Sequence, residues 1–360
     1  ALAPGRVPRL CQRLFGHTIV RPILTIHLSA IEKNLRVLQQ RVKPSICAAV
    51  VKADAYGLGM TQIALHLHAC GINEFFVATL EEAIALRNLL SDVRIYVLNG
   101  IFAGEEKEFI HHTLVPCLNN NEQLALWPHP KKILHVDTGL NRLGFNTTDF
   151  MALEDSLDVD MVMTHLACAD TPEHSLNALQ RDRFVACAAK FPKARKSLAA
   201  SDGIFCGTRF HFDQARAGAA LYGINPRPGL DNPMHQVVRL QVPVIQRRKV
   251  QENGTVGYGA TANVRQGQHL ATVMIGYADG FLRACGNQAF LYYGDRALPV
   301  LGRVSMDLVT VDIGDLPIQV GDTLDVFSPY QTPEQLARMA GTIDYELFTA
   351  LGNRFERRYI

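Results

Sequence analysis

Short apolar runs alternate with helix-spaced patterns from Leu24 to Gly223, and this alternation organises the reading of the chain. Leu24–Leu28 (LTIHL) reads as a strand and Ser29–Gln40 as a helix with Ser29 as its N-cap. The central stretch is Ala48–Gly59, AAVVKADAYGLG, where an apolar strand stops at Lys52 and a helical pattern resumes at Thr61. Further runs are FFVATL (75–80), IYVLNG (95–100), LVPCLN (114–119), KILHVDT (132–138), MVMTHLAC (161–168), SLAAS (197–201) and RAGAALYG (216–223). Helical patterns over Glu81–Leu90, Glu122–Trp127 and Glu173–Lys190 separate them. Alternating strands and helices imply a parallel sheet. Eight strands in about 180 residues imply a closed (β/α)8 TIM-type barrel, provided LTIHL is left out and assigned to the second domain.

After Pro226 the pattern changes. Val237–Ile245, Thr255–Val264, Leu270–Tyr277, Ala289–Tyr293, Pro299–Ile313 and Thr323–Phe327 read as strands with turn signals between them. One long helix is expected over Thr332–Leu351, opened by Thr332, Pro333 and Glu334. The expected fold class is α/β, a barrel followed by a mainly antiparallel β domain. The expected domains are a tail over 1–23, the barrel over 24–236 and the β domain over 237–360.

Composition narrows the function. Among 360 residues, 48% are hydrophobic and 19% charged, and the net charge is +2. That balance excludes a polybasic nucleic-acid or membrane surface, and no apolar run approaches the roughly 20 residues of a spanning helix. Cysteines 11, 47, 70, 117, 168, 187, 206 and 285 are scattered without a CxxC pair, which suits a reducing, cytoplasmic setting and argues against a metal site. Residues 1–22 carry Arg6, Arg9, Arg13 and Arg21 before any acidic residue, as transit peptides do. A frayed tail is the reading adopted here.

Polar residues gather at the strand ends. Lys52 and Tyr56 follow the first barrel strand, Arg142 the fifth, and His165 the sixth. Ser201 ends the seventh, while Arg216 opens the eighth, which runs into Gly218, Ala219 and Tyr222. The last two loops of a barrel commonly hold phosphate, and backbone N–H groups at small residues can approach one. A strand-end lysine facing such a cradle describes a barrel for pyridoxal 5'-phosphate.

The motifs VVKADAYGLG, VDTGLNRLGF, THLACAD, RAGAALYG, VGYGAT, IGYADG and GRVSMD, in this order, resemble the alanine racemase family over about residues 24–355. The resemblance implies a homodimer with shared sites, racemising alanine on pyridoxal 5'-phosphate. Lys52 would hold the cofactor as a Schiff base and serve as one base. Tyr258 of the partner subunit would be the other. Arg216 would bond the ring nitrogen, and His165 would link it to Tyr258. Tyr56, Ser201, Gly218 and Ala219 would hold the phosphate, with Tyr222 beside them. Arg142, Tyr277, Met306 and Asp307 would receive the substrate. Taken alone, His165 reads as a core histidine, Tyr258 as a strand tyrosine, Met306 as core filling and Arg142 as a surface cation.

The chemistry suits these roles. Racemisation removes a proton from one face and returns one to the other, so two bases flank the α-carbon. An arginine at the ring nitrogen discourages its protonation, weakening the electron sink and limiting transamination. Three positions depart from the family pattern. His135 stands where many members have a carbamylated lysine, so Arg142 must be held otherwise, by chloride or water. Asn353 stands where some members have a phosphate-binding tyrosine. Ala200-Ser201 replaces an asparagine-serine pair. A broader racemase that accepts serine is an alternative, since an apolar pocket rejects one added hydroxyl only weakly. So is a related barrel decarboxylase, although that chemistry wants an acid at the ring nitrogen. A non-catalytic cofactor carrier would not need the β domain.

Overall fold

A computed structural model describes residues 21–360. The expected N-terminal tail lies almost wholly outside the described residues. The chain forms two compact units. The barrel unit comprises Thr25–Arg239, Phe327–Leu351 and Arg358–Ile360; the β unit comprises Leu240–Val326, Gly352–Arg357 and the described residues up to Leu24.

After β1 (Ile23–Ile26), eight parallel strands close the barrel: β2 (Ile46–Val50), β3 (Glu74–Val77), β4 (Arg94–Val97), β5 (Val115–Leu118), β6 (Lys132–His135), β7 (Val159–Met163), β8 (Arg195–Ala200) and β9 (Gln214–Ala217). Closure sets β2 beside β9, with Ile46 opposite Gln214 and Ala49 opposite Ala217. Most strand residues are buried and apolar because both faces are covered, with Lys132, His135, Ser197, Gln214 and Arg216 as buried polar exceptions. Ala48, Val50, Phe76, Tyr96, Cys117, Ile133, Met161 and Met163 fill the interior. A large side chain buried in this way stabilises the barrel by roughly 1.5–3 kcal/mol. Most strands stop sooner than the apolar runs do, because the chain leaves the sheet at the barrel mouth and turns polar side chains inward there.

Local chemistry sets the helix ends. Thr79 caps Leu80–Arg87 through a box with Glu82. The helix over Leu28–Val42 instead begins after His27 with no side-chain cap, which puts Ser29 inside its first turn rather than at the N-cap. The long helix expected over Thr332–Leu351 is two, Pro333–Ala340 and Asp344–Thr349, because Gly341 takes φ +70° and breaks the first.

The second sheet has the order β13-β16-β15-β14-β17-β10-β1-β18, with β13 also pairing with β10. Its later strands are β10 (Val238–Lys249), β13 (His269–Val273), β14 (Phe290–Tyr293), β15 (Arg296–Leu301), β16 (Val309–Asp312), β17 (Thr323–Phe327) and β18 (Glu356–Tyr359). β1 pairs in this sheet and not in the barrel. Thr255–Val264 is a hairpin of β11 (Gly254–Val256) and β12 (Ala262–Val264) rather than one strand. Gly257, Gly259 and Ala260 have positive φ at its tip, which is where Tyr258 sits. Pro299–Ile313 is likewise split, into β15 and β16.

Candidate active site

Lys52 follows β2 by two residues, and what comes next is unusual. Ala53, Asp54, Ala55 and Tyr56 all have φ between +51° and +58°, one turn of left-handed helix closed by Gly57 N–H to Ala53 O. Left-handed geometry crowds each Cβ against the backbone, at about 1–2 kcal/mol per residue. Glu82 offsets part of that cost. Its carboxylate accepts from Ala53 N at 2.6 Å and from Ala78 N at 2.7 Å. Asp54 accepts from Met60 N at 2.7 Å, and the Tyr359 hydroxyl donates to Leu58 O at 2.9 Å. The turn places Lys52 and Tyr56 on the wall of one cavity.

That cavity, of about 990 Å³, is also lined by Arg142, His165, Ser201, Arg216, Gly218 and Ala219. It is large enough for a cofactor with a small substrate. Burial, then the Arg142 guanidinium, push the Lys52 amine below the ordinary lysine range, while Glu82 acts against them. A neutral amine is thereby made easier to reach.

Arg216 is fully engaged at its two terminal nitrogens. Nη1 donates to Ser197 O (2.9 Å) and Ser197 Oγ (2.7 Å), and Nη2 donates to Thr164 O (2.6 Å) and Leu198 O (3.1 Å). This leaves the Nε–H for a ligand. Burial pushes the guanidinium down to about 10, so it is still a cation near neutrality. None of these partners is acidic. His165 Nδ1 lies 3.5 Å from Arg216 Nη2, and burial followed by Arg216 pushes this imidazole down to about 3. It is neutral.

Around the expected phosphate end, backbone and Ser201 are tied together. Ser201 Oγ accepts from Gly218 N (3.0 Å) and Ala220 N (3.1 Å), which leaves its own hydrogen to donate. A Cβ on Gly218 would lie 2.5 Å from the Tyr56 hydroxyl, so only glycine leaves that surface open. These features fit a phosphorylated ring compound: hydrogen-bond donors, an arginine Nε–H and an amine line one cavity. Tyr222 departs from expectation. It does not line the cavity; it is buried behind Tyr56, with ring centroids 4.9 Å apart and its hydroxyl donating to Val50 O at 2.8 Å. Its role here is support for Tyr56.

His135 also faces the cavity. Its Nδ1 lies 2.8 Å from Asn119 Oδ1, an acceptor, so Nδ1 carries the hydrogen and the other nitrogen has a free lone pair. Burial, then Arg216, push His135 down to about 3. The loop carrying Arg142 is tied by Asp137, which accepts from Gly139, Leu140 and Arg142 N–H groups at 2.8–3.0 Å. Glu82, Asn119, Asp202 and Tyr345 were not foreseen as parts of this site. Only Glu82 had a local signal, the Thr-x-x-Glu capping box.

The remaining expected residues belong to the β unit. Tyr258, Met306 and Tyr277 are 73%, 53% and 44% exposed. Backbone bonds from Tyr277 N to Ser305 O and from Ala278 N to Met306 O join two of these loops. Gly257 and Gly259 abut Arg303 of the same segment, so Tyr258, Tyr277 and Met306 lie on adjoining loops of the β unit. Asp307 is paired with Arg354 at 2.6 Å, and Asn353 is exposed. Elsewhere, Glu32, His66 and Cys70 bring possible metal ligands within 4.8 Å of one another, but Glu32 is already paired with Arg36. Among the described residues no helix is long and apolar enough to cross a membrane.

Comparison with known proteins agrees with this geometry. The family model for the alanine racemase N-terminal domain matches residues 26–226, and that for the C-terminal domain matches residues 237–359. The chain is 44% identical over 356 residues to the alanine racemase of Rhodospirillum rubrum, covering 94% of this chain and 95% of the other. It is 41% identical to that of Rhizobium meliloti, covering 94% and 96%. Among solved structures, alanine racemase from Bartonella henselae with covalently bound pyridoxal phosphate superposes with a TM-score of 0.90 at 36% identity, covering 95% of this chain and all of the other. The biosynthetic enzyme of Pseudomonas aeruginosa gives 0.87 at 31% identity over 95% of this chain and 100% of its own. With both family domains matched in order across a barrel whose mouth carries Lys52 and Arg216, the chain belongs to the alanine racemase family.

Proposed function

We propose that this protein is a pyridoxal-phosphate-dependent isomerase that interconverts L- and D-alanine, acting as a homodimer in which two chains build each site. The observation that carries the reading is Lys52, half-buried and driven toward its neutral form, in one cavity with an Arg216 that has no acidic partner. The covalent pyridoxal phosphate of the Bartonella henselae relative supports the cofactor.

Lys52 and Arg216 would hold the two ends of the cofactor ring, and Tyr56, Ser201, Gly218 and Ala219 its phosphate. When bound, pyridoxal phosphate supplies a covalent link to the amino acid and a sink for the electron pair left on its α-carbon. Lys52 removes or returns the α-proton on one face, its lowered proton affinity bringing it nearer the working pH. The partner's Tyr258 does the same on the other face. Arg142 orients the substrate carboxylate. Arg216 would offer its Nε–H to the ring nitrogen and, being a buried cation, would disfavour protonation there. A decarboxylase would want an acid there, and only neutral groups surround Arg216. Tyr258, Tyr277 and Met306 form an exposed apolar patch, which suits a surface that a second chain covers.

Borohydride reduction of the loaded enzyme should fix the cofactor to Lys52, as read by peptide mapping. Label on another lysine would end this reading. Turnover of enantiopure alanine and serine decides breadth.

A further inference from the structure

We propose that Asp202 binds the cofactor phosphate through its protonated carboxyl, and that its ionisation weakens cofactor binding. The inference rests on the pyridoxal-phosphate reading of the site. Asp202 follows Ser201 directly and lines both the main cavity and an adjoining chamber of about 630 Å³. Its Oδ1 is buried and has no hydrogen-bond partner. A buried carboxylate oxygen without a partner is costly, whereas a carboxylic acid can donate to an anion placed beside it.

The groups around it favour the acid. Asp170, from the loop after β7, and Asp344, from the helix over Asp344–Thr349, add to burial and push Asp202 up to about 7. Tyr56 and Tyr345 also face it, and both are held neutral, pushed up by burial with Asp202 as their next cause. On its own helix the Cys206 thiol is pushed up to about 11, and His165 is neutral. Arg142, Glu334 and Arg338 complete the charged lining of the chamber. A phosphate beside Asp202 would raise its proton affinity further, so binding and protonation reinforce each other.

Pyridoxine 5'-phosphate is a suitable probe, because it has the ring and phosphate but no aldehyde to react with Lys52. Its affinity for the apoenzyme would be measured by calorimetry between pH 6.5 and 9 for wild type, Asp202→Asn and Asp202→Ala. Wild-type Kd should rise by about tenfold per pH unit above neutrality while one proton is linked to binding. Asp202→Asn keeps a donor that cannot ionise, so it should match wild type at pH 6.5 and lose the extra slope. Asp202→Ala should bind weakly throughout. Titration of the phosphate itself is common to all three and cancels in the comparison. An equal slope in wild type and Asp202→Asn, or no slope in wild type, overturns the proposal. Failure of folded wild type to bind the probe at pH 6.5 overturns the cofactor reading as well.

Discussion

Side chains at this barrel mouth take the charge that their surroundings permit. His135 and His165 are both neutral because burial and the Arg216 cation oppose a second positive charge. Neutral His135, its tautomer set by Asn119, offers a lone pair to the cavity instead of the negative charge of a carbamate. Racemase activity should therefore be indifferent to removal of carbon dioxide; a loss restored by bicarbonate would show that a lysine has taken the role. The same burial makes stability depend on pH. The folded His135 value, about 3, lies below its free value near 6.5, so the unfolded chain binds the extra proton first. This contribution is complete above pH 6.5 and is lost as pH falls toward 3. In melting experiments on the apoprotein, the Tm advantage of wild type over His135→Gln should shrink across that window. A constant difference would mean that His135 is not buried as a neutral group.

At the scale of elements, the turn after β2 shows how a short sequence is held in a conformation it would not choose. Four left-handed residues cost several kcal/mol together, at about 1–2 each, and only surrounding contacts maintain them. Glu82 joins that turn to the start of the Leu80–Arg87 helix. Glu82→Ala should destabilise the protein by about 1–3 kcal/mol, since it removes a charged acceptor from the Ala53 and Ala78 N–H groups. It should also speed cofactor loss, because Lys52 and Tyr56 share the turn. Glu82→Gln, which keeps an acceptor, should recover part of the stability. Unfolding curves and cofactor absorbance after dialysis measure the two effects. Unchanged cofactor retention in Glu82→Ala would separate the turn from Lys52 function. Helix ends were only partly legible in sequence. Thr79 and Thr332 cap as their spacing suggests, whereas the helix at Leu28 starts without a cap despite Ser29 beside it. A capping residue is a local preference worth about 1 kcal/mol, and packing decides whether it is used.

For the whole molecule, the question is how the barrel and β units cooperate. On the proposed two-base mechanism, Lys52→Ala and Tyr258→Phe should each remove nearly all activity, since each would delete one proton-transfer group. If two chains share each site, mixed dimers of these variants have one site with both lesions and one with neither. Random pairing makes half the dimers mixed, so refolding the two dead variants together should restore roughly a quarter of wild-type activity. No recovery, with exchange of tagged subunits verified, would place both residues in one chain's site.

The sequence by itself determined the alternation of strands and helices, the eight parallel strands and the lysine at the end of the first. It could do so because a strand covered on both faces must be apolar along its length whatever covers it. The motif residues Lys52, Tyr56, Arg142, His165, Ser201, Arg216, Gly218 and Ala219 were legible as a set, and one cavity contains them. Tertiary structure decided what each of them touches. Tyr222 turns behind Tyr56, Arg216 spends its terminal nitrogens on Ser197, Thr164 and Leu198, and Glu82 crosses to Ala53. Asp202 is left with a buried, unpartnered oxygen beside two other carboxylates. No periodicity predicts such pairings. A hydrogen bond depends on distance and angle in space, and those follow from how the closed barrel sets strands and loops side by side, as it does Ile46 and Gln214.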